Sequence, residues 1–261
     1  MTFVNNIDPV IFSYGFFSLR WYGIFFLIGI VLNYLLLIWA FKKNKYKISD
    51  LESLVVYLFF GLILGARFGH IIFYEPAYYF AHPENILKIW NGGLASHGAA
   101  IGLLIAYALW TFIHKIKFSK YVDILALGIP ITAMFVRIGN FFNSEIVGIK
   151  SGGDFGVIFK RLGEDFPRHP AQLYEAVLNL AIFLFLFFVY KKYYKKTPPL
   201  FYLFSYLFFY FGGRFLIEFK KDLHGLPESF PLSTGQVLSL VPVGLSVVYF
   251  LWIFLKRRKG K

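Results

Sequence analysis

Several runs of about 20 residues in this chain carry almost no charge. An α-helix needs about that length to cross a hydrocarbon core ~30 Å thick. In lipid every backbone N–H and C=O must be satisfied internally, so only helices and closed barrels can span. A barrel would alternate apolar and polar residues, whereas these runs are apolar all round. Charged residues make up 16% of the 261, against about 25% in a soluble domain, and they are clustered. The expectation is an all-α, polytopic membrane protein forming one integral domain over 1–261. The first apolar run is long and aromatic and lacks a small-residue cleavage site, so it reads as a retained span.

A net charge of +13 would suit nucleic-acid binding, but its distribution argues against that. Sixteen of the 27 Lys and Arg fall in four short clusters, at 42–47, 115–120, 191–196 and 256–261. Each cluster flanks an apolar run, as cytoplasmic loops do under the positive-inside rule. Spans are expected near 18–41, 51–74, 94–113, 120–138, 171–190, 199–217 and 235–255. Seven transmembrane helices with every cluster cytoplasmic put the N-terminus outside and the C-terminus inside. The segments 75–93, 139–170 and 218–234 then face outward. The longest, 139–170, contains Gly152, Gly153, Asp154, Gly156 and Pro167 and is expected to form a small extracytoplasmic cap. Gly61-x-x-x-Gly65 and Gly98-x-x-x-Gly102 permit close helix contact.

Polar residues near the outer ends of the spans carry the functional signal, because ionisable groups at membrane depth are expensive. Arg137-Ile-Gly-Asn140-Phe-Phe-Asn143-Ser-Glu145-Ile-Val-Gly148 puts an arginine, two amides and a carboxylate at the end of an apolar segment. Tyr210, Arg214 and Glu218 recur every four residues, and Gln172 and Glu175 are neighbours at i, i+3. Arg67, His70 and Tyr74 share a helix face, and His97 opens the third span beside Gly98. Individually these have bland readings: Arg214 and Glu218 could pair within one helix, and Arg137 could snorkel to the interface. His70, His114 and His224 have no special context. Together, two arginines, a histidine and two carboxylates at similar depth describe an anion site. Arginine offers a planar fork that matches phosphate and stays charged when desolvated. The anion most available at that depth is a lipid phosphate.

The absence of cysteine removes disulfides, thiolate metal sites and a cysteine nucleophile. No His/Cys/Asp set has metal-ligand spacing, so neither a metal nor a cofactor is expected. A channel or transporter would need a charged path through the whole bilayer and paired interrupted helices, and neither pattern is present. The residues alone do not separate an acyltransferase, a phosphotransferase and other lipid-modifying enzymes.

The long motif does. Arg137-x-Gly-Asn-Phe-x-Asn-x-Glu-x-x-Gly148 resembles the signature of the bacterial prolipoprotein diacylglyceryl transferase family. The similarity continues through Arg20-Trp-Tyr22-Gly, Gly65-Ala-Arg67, Ser96-His97-Gly98, Arg168-His169-Pro-Ala-Gln172-Leu-Tyr-Glu175, Gly213-Arg214-Phe with Glu218, and Ser233-Thr-Gly-Gln236. Ala99 and Val136 stand where the family usually has glycine. The resemblance implies the same seven-span, N-out fold in the bacterial cytoplasmic membrane, with the active site toward the outer leaflet. It implies transfer of the diacylglyceryl group of phosphatidylglycerol to the lipobox cysteine in the signal peptide of a preprolipoprotein, with glycerol phosphate released. Its partners would be phosphatidylglycerol, those signal peptides and membrane lipids, with no nucleic acid. Arg137 and Arg214 would hold phosphate and His97 would be the base. Tyr22, Asn140, Glu145, Gly148, Tyr210 and Glu218 would serve activity or lipid binding, and His169 would shape the head-group pocket.

Overall fold

The apolar runs become long helices close to where the sequence places them. The computed structural model of the chain describes residues 1–15, 17–153, 155–222 and 231–259. Its long helices are α1 (Trp21–Lys43), α2 (Ile48–Phe73), α4 (Ser96–Ile113), α5 (Val122–Phe142), α6 (Ala171–Tyr193), α7 (Phe201–Glu218) and α8 (Thr234–Lys259); α3 (Pro76–Ala81) is a short helix after α2. Six of them, all but α7, are long and apolar enough to cross a membrane. The residues Tyr202, Tyr206, Tyr210, Arg214 and Glu218 form an i+4 stripe that lowers the hydropathy of α7. That stripe is where α7 packs: Tyr202, Tyr206, Tyr210 and Glu218 are buried.

An all-helical reading misses four short strands. β1 (Thr2–Asn5) pairs in parallel with β4 (Gly156–Phe159), while β2 (Val10–Tyr14) and β3 (Phe17–Arg20) form an antiparallel hairpin before α1. The alternation in these four- and five-residue segments is too short to be told from loop in the sequence.

The chain divides into two compact units. One comprises 1–36 and 122–261, the other 37–121. In the first, α1 packs on α5 through Gly29, where a Cβ would lie 3.1–3.4 Å from Thr132 and Phe135, and Asn33 Nδ2 donates to Thr132 Oγ1 at 3.1 Å. The carboxylate of Asp123, near the start of α5, accepts from the backbone N–H of Leu200, Tyr202 and Leu203 at 2.7, 2.9 and 3.1 Å. It thereby satisfies donors that the first turn of α7 would leave unpaired, and its charge suits that helix end. In the second unit α2 and α4 touch backbone to backbone. A Cβ on Gly65 would stand 2.5 Å from Gly98 O and 2.6 Å from Gly102 Cα, so the small-residue spacing is used as expected.

Segment 143–170 returns across the end of α5. Gly139 to Phe142 belong to α5 itself, so the helix takes in the first four residues expected of the cap. Phe141, Val157 and Phe159 form a small core beneath β4, with Phe142, Val147 and Leu173 packed on it. Asn5, fully buried, ties β1 to the helix by donating to Phe141 O at 3.0 Å. Asp154, assigned to this segment, and His224 lie outside the described residues.

Candidate active site

The signature arginine lies in the last-but-one turn of α5 and faces a carboxylate from α6. Arg137 is three-quarters of the way along α5, and its Nε pairs with Oε2 of Glu175 in the second turn of α6. Glu175 has no exposed side-chain surface and Arg137 has 14%. The other carboxylate oxygen of Glu175 pairs with Nζ of Lys221. Lys221, 7% exposed, also lies 3.3 Å from Glu218 Oε2. One anion therefore holds two cations. Removing a partner from a buried pair leaves an uncompensated charge at a cost of about 3–5 kcal/mol, so the three side chains fix one another.

A second set of bonds runs along the signature. Arg137 Nη1 donates to Asn140 Oδ1 at 3.2 Å, which the i, i+3 spacing on one helical turn allows. Asn140 Nδ2 donates to Glu145 Oε2 at 3.2 Å and Asn143 Nδ2 to Glu145 Oε1 at 3.1 Å. Gln172 Nε2 donates to the Glu145 carbonyl at 2.5 Å. The turn that brings Glu145 back to α5 has Ser144 and Ile146 at φ +56°. A β-branched residue in that region is strained, and the bonds on Glu145 over-determine it.

Glycines set the close approaches. A Cβ on Gly139 would stand 2.9 Å from Tyr22 Cδ2, so the ring of Tyr22 lies against α5 one residue before Asn140. Gly148 passes between two strands of backbone: its N–H donates to His169 O at 2.9 Å, and a Cβ there would meet the carbonyls of His169 and Lys220. A Cβ on Gly235, in the first turn of α8, would run into the carboxylate of Glu218. Ser233 Oγ donates to the same carboxylate at 3.3 Å.

The remaining candidates fall as follows. Tyr210 is buried and stacks on Tyr206 with ring centroids 5.4 Å apart. Arg214 is half-buried on α7, and its charge acts on Glu175 and Tyr206. Among the described residues no side chain or carbonyl takes a hydrogen bond from it. The i, i+4 pair with Glu218 does not form, because Glu218 turns to Lys221. His169 Nδ1 lies 3.0 Å from Tyr174 Oη, and burial and the charge of Lys220 hold its imidazole below the usual pKa. His97 lies in the other unit, in the first turn of α4, exposed and with no hydrogen-bond partner among the described residues. His70 stacks on Tyr74 and lies 3.6 Å from Glu75, and His114 lies 2.9 Å from the Trp110 carbonyl. Among the described residues no group of three metal-ligating side chains occurs.

Lys221 and the central place of Glu175 were not found from sequence. Lysine three residues past a span reads as an interfacial anchor, and the only hint was its i, i+3 spacing from Glu218.

Residues 9–252 match the family described as prolipoprotein diacylglyceryl transferase. The phosphatidylglycerol–prolipoprotein diacylglyceryl transferase of Tolumonas auensis is 41% identical over 251 residues, covering 94% of this chain and 95% of the relative. Proteins of the same name from Bacteroides fragilis and Chloroherpeton thalassium are 37% and 38% identical, covering 98% and 93% of this chain and 96% and 91% of theirs. With its signature arginine, paired amides and glycine crossings in place along a multi-pass helical frame, the chain belongs to the prolipoprotein diacylglyceryl transferase family.

Proposed function

We propose that this chain moves the diacylglyceryl group of phosphatidylglycerol onto the lipobox cysteine of a prolipoprotein signal peptide, the first step of lipoprotein maturation, with Arg137 and Arg214 holding the lipid phosphate. The observation that carries the assignment is the contrast between the two arginines. Arg137 is oriented by Glu175 and Asn140, while among the described residues nothing takes a hydrogen bond from Arg214 on its half-buried helix face. A guanidinium whose donors the protein does not take can offer its planar fork to a ligand anion.

The chemistry follows from these roles. The substrate thiol loses its proton to His97, since imidazole is the commonest side-chain general base. The sulfur attacks the glyceryl carbon that bears the phosphate, the C–S bond forms and the C–O bond breaks. The electron pair leaves on the phosphate oxygen, where the arginines stabilise it. Tyr22, Asn140, Glu145, Gly148, Tyr210 and Glu218 shape and brace the lipid site, and His169 borders the head group. The lysine clusters support seven spans, α7 included, with the N-terminus outside, the C-terminus cytoplasmic and 139–170 an extracytoplasmic cap. Catalysis then takes place toward the outer leaflet of the bacterial cytoplasmic membrane.

Purified protein in phosphatidylglycerol-containing micelles should release glycerol phosphate only when a lipobox cysteine peptide is present. Arg137→Ala and Arg214→Ala should each lower transfer by about 10²-fold or more. Near-normal transfer by Arg214→Ala would refute the phosphate assignment.

A further inference from the structure

Arg67 is buried near the outer end of α2, with only 4% of its surface exposed, and its guanidinium is fully engaged. Nε donates to Ile86 O at 2.8 Å. Nη1 donates to Gly92 O and Gly93 O at 2.7 and 3.1 Å, and Nη2 to Asn85 O and Lys88 O at 2.5 and 3.4 Å. The ring of Tyr79 lies against it, 4.8 Å from centroid to Cζ. All five acceptors are backbone carbonyls of one irregular segment, 85–93. An arginine with every donor satisfied by carbonyls has nothing left for a phosphate. Its work is to give shape to a stretch of chain that has no sheet or long helix to hold it.

That stretch leads straight into α4. Ala95 N donates to Ala66 O at 2.9 Å, so residues 66 and 67 of α2 fasten the segment at both ends. A Cβ on Gly69 would stand 2.5 Å from Gly98 Cα, so the first turn of α4 rests directly on α2. His97 lies between these two anchor points. No described residue hydrogen-bonds its imidazole, so its placement depends on where the backbone carries it. Bases in enzymes are commonly oriented by a partner on the second ring nitrogen, and here the backbone must do that work.

We infer that Arg67 is a positioning residue for His97: the carbonyl cradle of 85–93, closed on the guanidinium, sets the entry of α4 and so the location of the base. The inference rests on the reading of His97 as the base. Lysine cannot replace Arg67, because three donors on one nitrogen cannot serve five acceptors spread along a fork.

The test is a double-mutant cycle on the full-length protein, with Arg67→Lys, His97→Ala and the double variant measured by steady-state transfer of labelled lipid to a cysteine peptide. Arg67→Lys should lower kcat by at least ~10-fold with KM for phosphatidylglycerol changed by less than ~2-fold, and should cost less than ~2-fold when His97 is already alanine. Equal costs in both backgrounds, or no cost in the parent, would overturn the inference. Full turnover by His97→Ala would remove the base assignment and this inference with it, so the two failures differ in appearance. If Arg67→Lys does not accumulate as folded protein, Gly93→Ala serves in the same cycle. Gly93 has φ +73°, and a Cβ there would stand 2.7 Å from Arg67 Nη1. It should give the same pattern, and equal costs in both backgrounds would again overturn the inference.

Discussion

Glu175→Gln is the perturbation that most directly questions the buried charge cluster. The carboxylate has no exposed surface, and its two partners are 14% and 7% exposed. Breaking one such pair costs about 3–5 kcal/mol, mostly the penalty of a buried charge left alone. Two contacts are lost here, but Lys221 keeps Glu218 at 3.3 Å, so of the two ion-paired cations only Arg137 is stripped of its charged partner. The estimate is therefore one broken pair. Glutamine preserves the volume and offers a neutral acceptor worth ~1 kcal/mol, which leaves roughly 2–4 kcal/mol. For a chain of this size that corresponds to a fall in Tm of about 4–16 °C. Transfer activity should fall by about 10²-fold, because the guanidinium loses the contact that aims it. Thermal unfolding in lipid-containing detergent and transfer of labelled lipid to a cysteine peptide measure the two effects. A Tm within about 2 °C of the parent together with full transfer would show that Glu175 does not hold Arg137. Glu175→Asp, which withdraws the carboxylate by about 1.5 Å, should fall between the two.

Other consequences follow from single contacts. Asp123→Ala leaves three backbone donors at the start of α7 without their acceptor, so it should cost about 2 kcal/mol or more in stability while sparing the turnover of folded protein. A thermal melt paired with an active-fraction assay checks this. His169 titrates below its ordinary pKa, through burial and the charge of Lys220. The unfolded chain therefore binds more protons than the folded one as pH falls below about 6.5, and stability is lost in that direction. His169→Asn should shrink the fall in Tm between pH 7 and pH 5.5, and an unchanged fall would contradict it.

The helices were legible because each is a long apolar run bounded by lysines. The span expected at 171–190 is α6 at Ala171–Tyr193, and the one expected at 94–113 is α4 at Ser96–Ile113. The hydrogen-bonded chain within the signature was legible too, since Arg137, Asn140 and Glu145 follow one another at spacings a helix end can close. What escaped is non-local. β1 pairs with β4 across more than 150 residues, Thr2 opposite Gly156, and nothing in a four-residue strand announces so distant a partner. Nothing in the sequence marks Lys221 as interior, and only a carboxylate from α6 makes it so. The stripe on α7 was read as Tyr210, Arg214 and Glu218. It extends back through Tyr206 and Tyr202, because aromatic hydroxyls pass for lipid-facing residues until burial shows which way they point.

The arginines differ in how many of their donors the protein itself uses, and that difference sorts structure from function better than burial does. Arg67 spends all five on backbone carbonyls. Arg168 spends Nε and Nη2 on Glu164 and Nη1 on Gly148 O and Asp222, locking segment 148–168 to the chain beyond α7. Arg137 is held through Nε by Glu175 and through Nη1 by Asn140, and Tyr210 also hydrogen-bonds its guanidinium. Arg214 gives none among the described residues. A guanidinium that binds a ligand must keep donors for it, and one that only holds the fold has no reason to. On that scale Arg214 is the arginine with donors to spare and Arg137 the one held in place, although Arg67 is the most buried of those on the long helices. Lysine at position 214 should then retain part of the activity, since a phosphate accepts a point charge, whereas lysine at 67 should not, since five carbonyls require the fork.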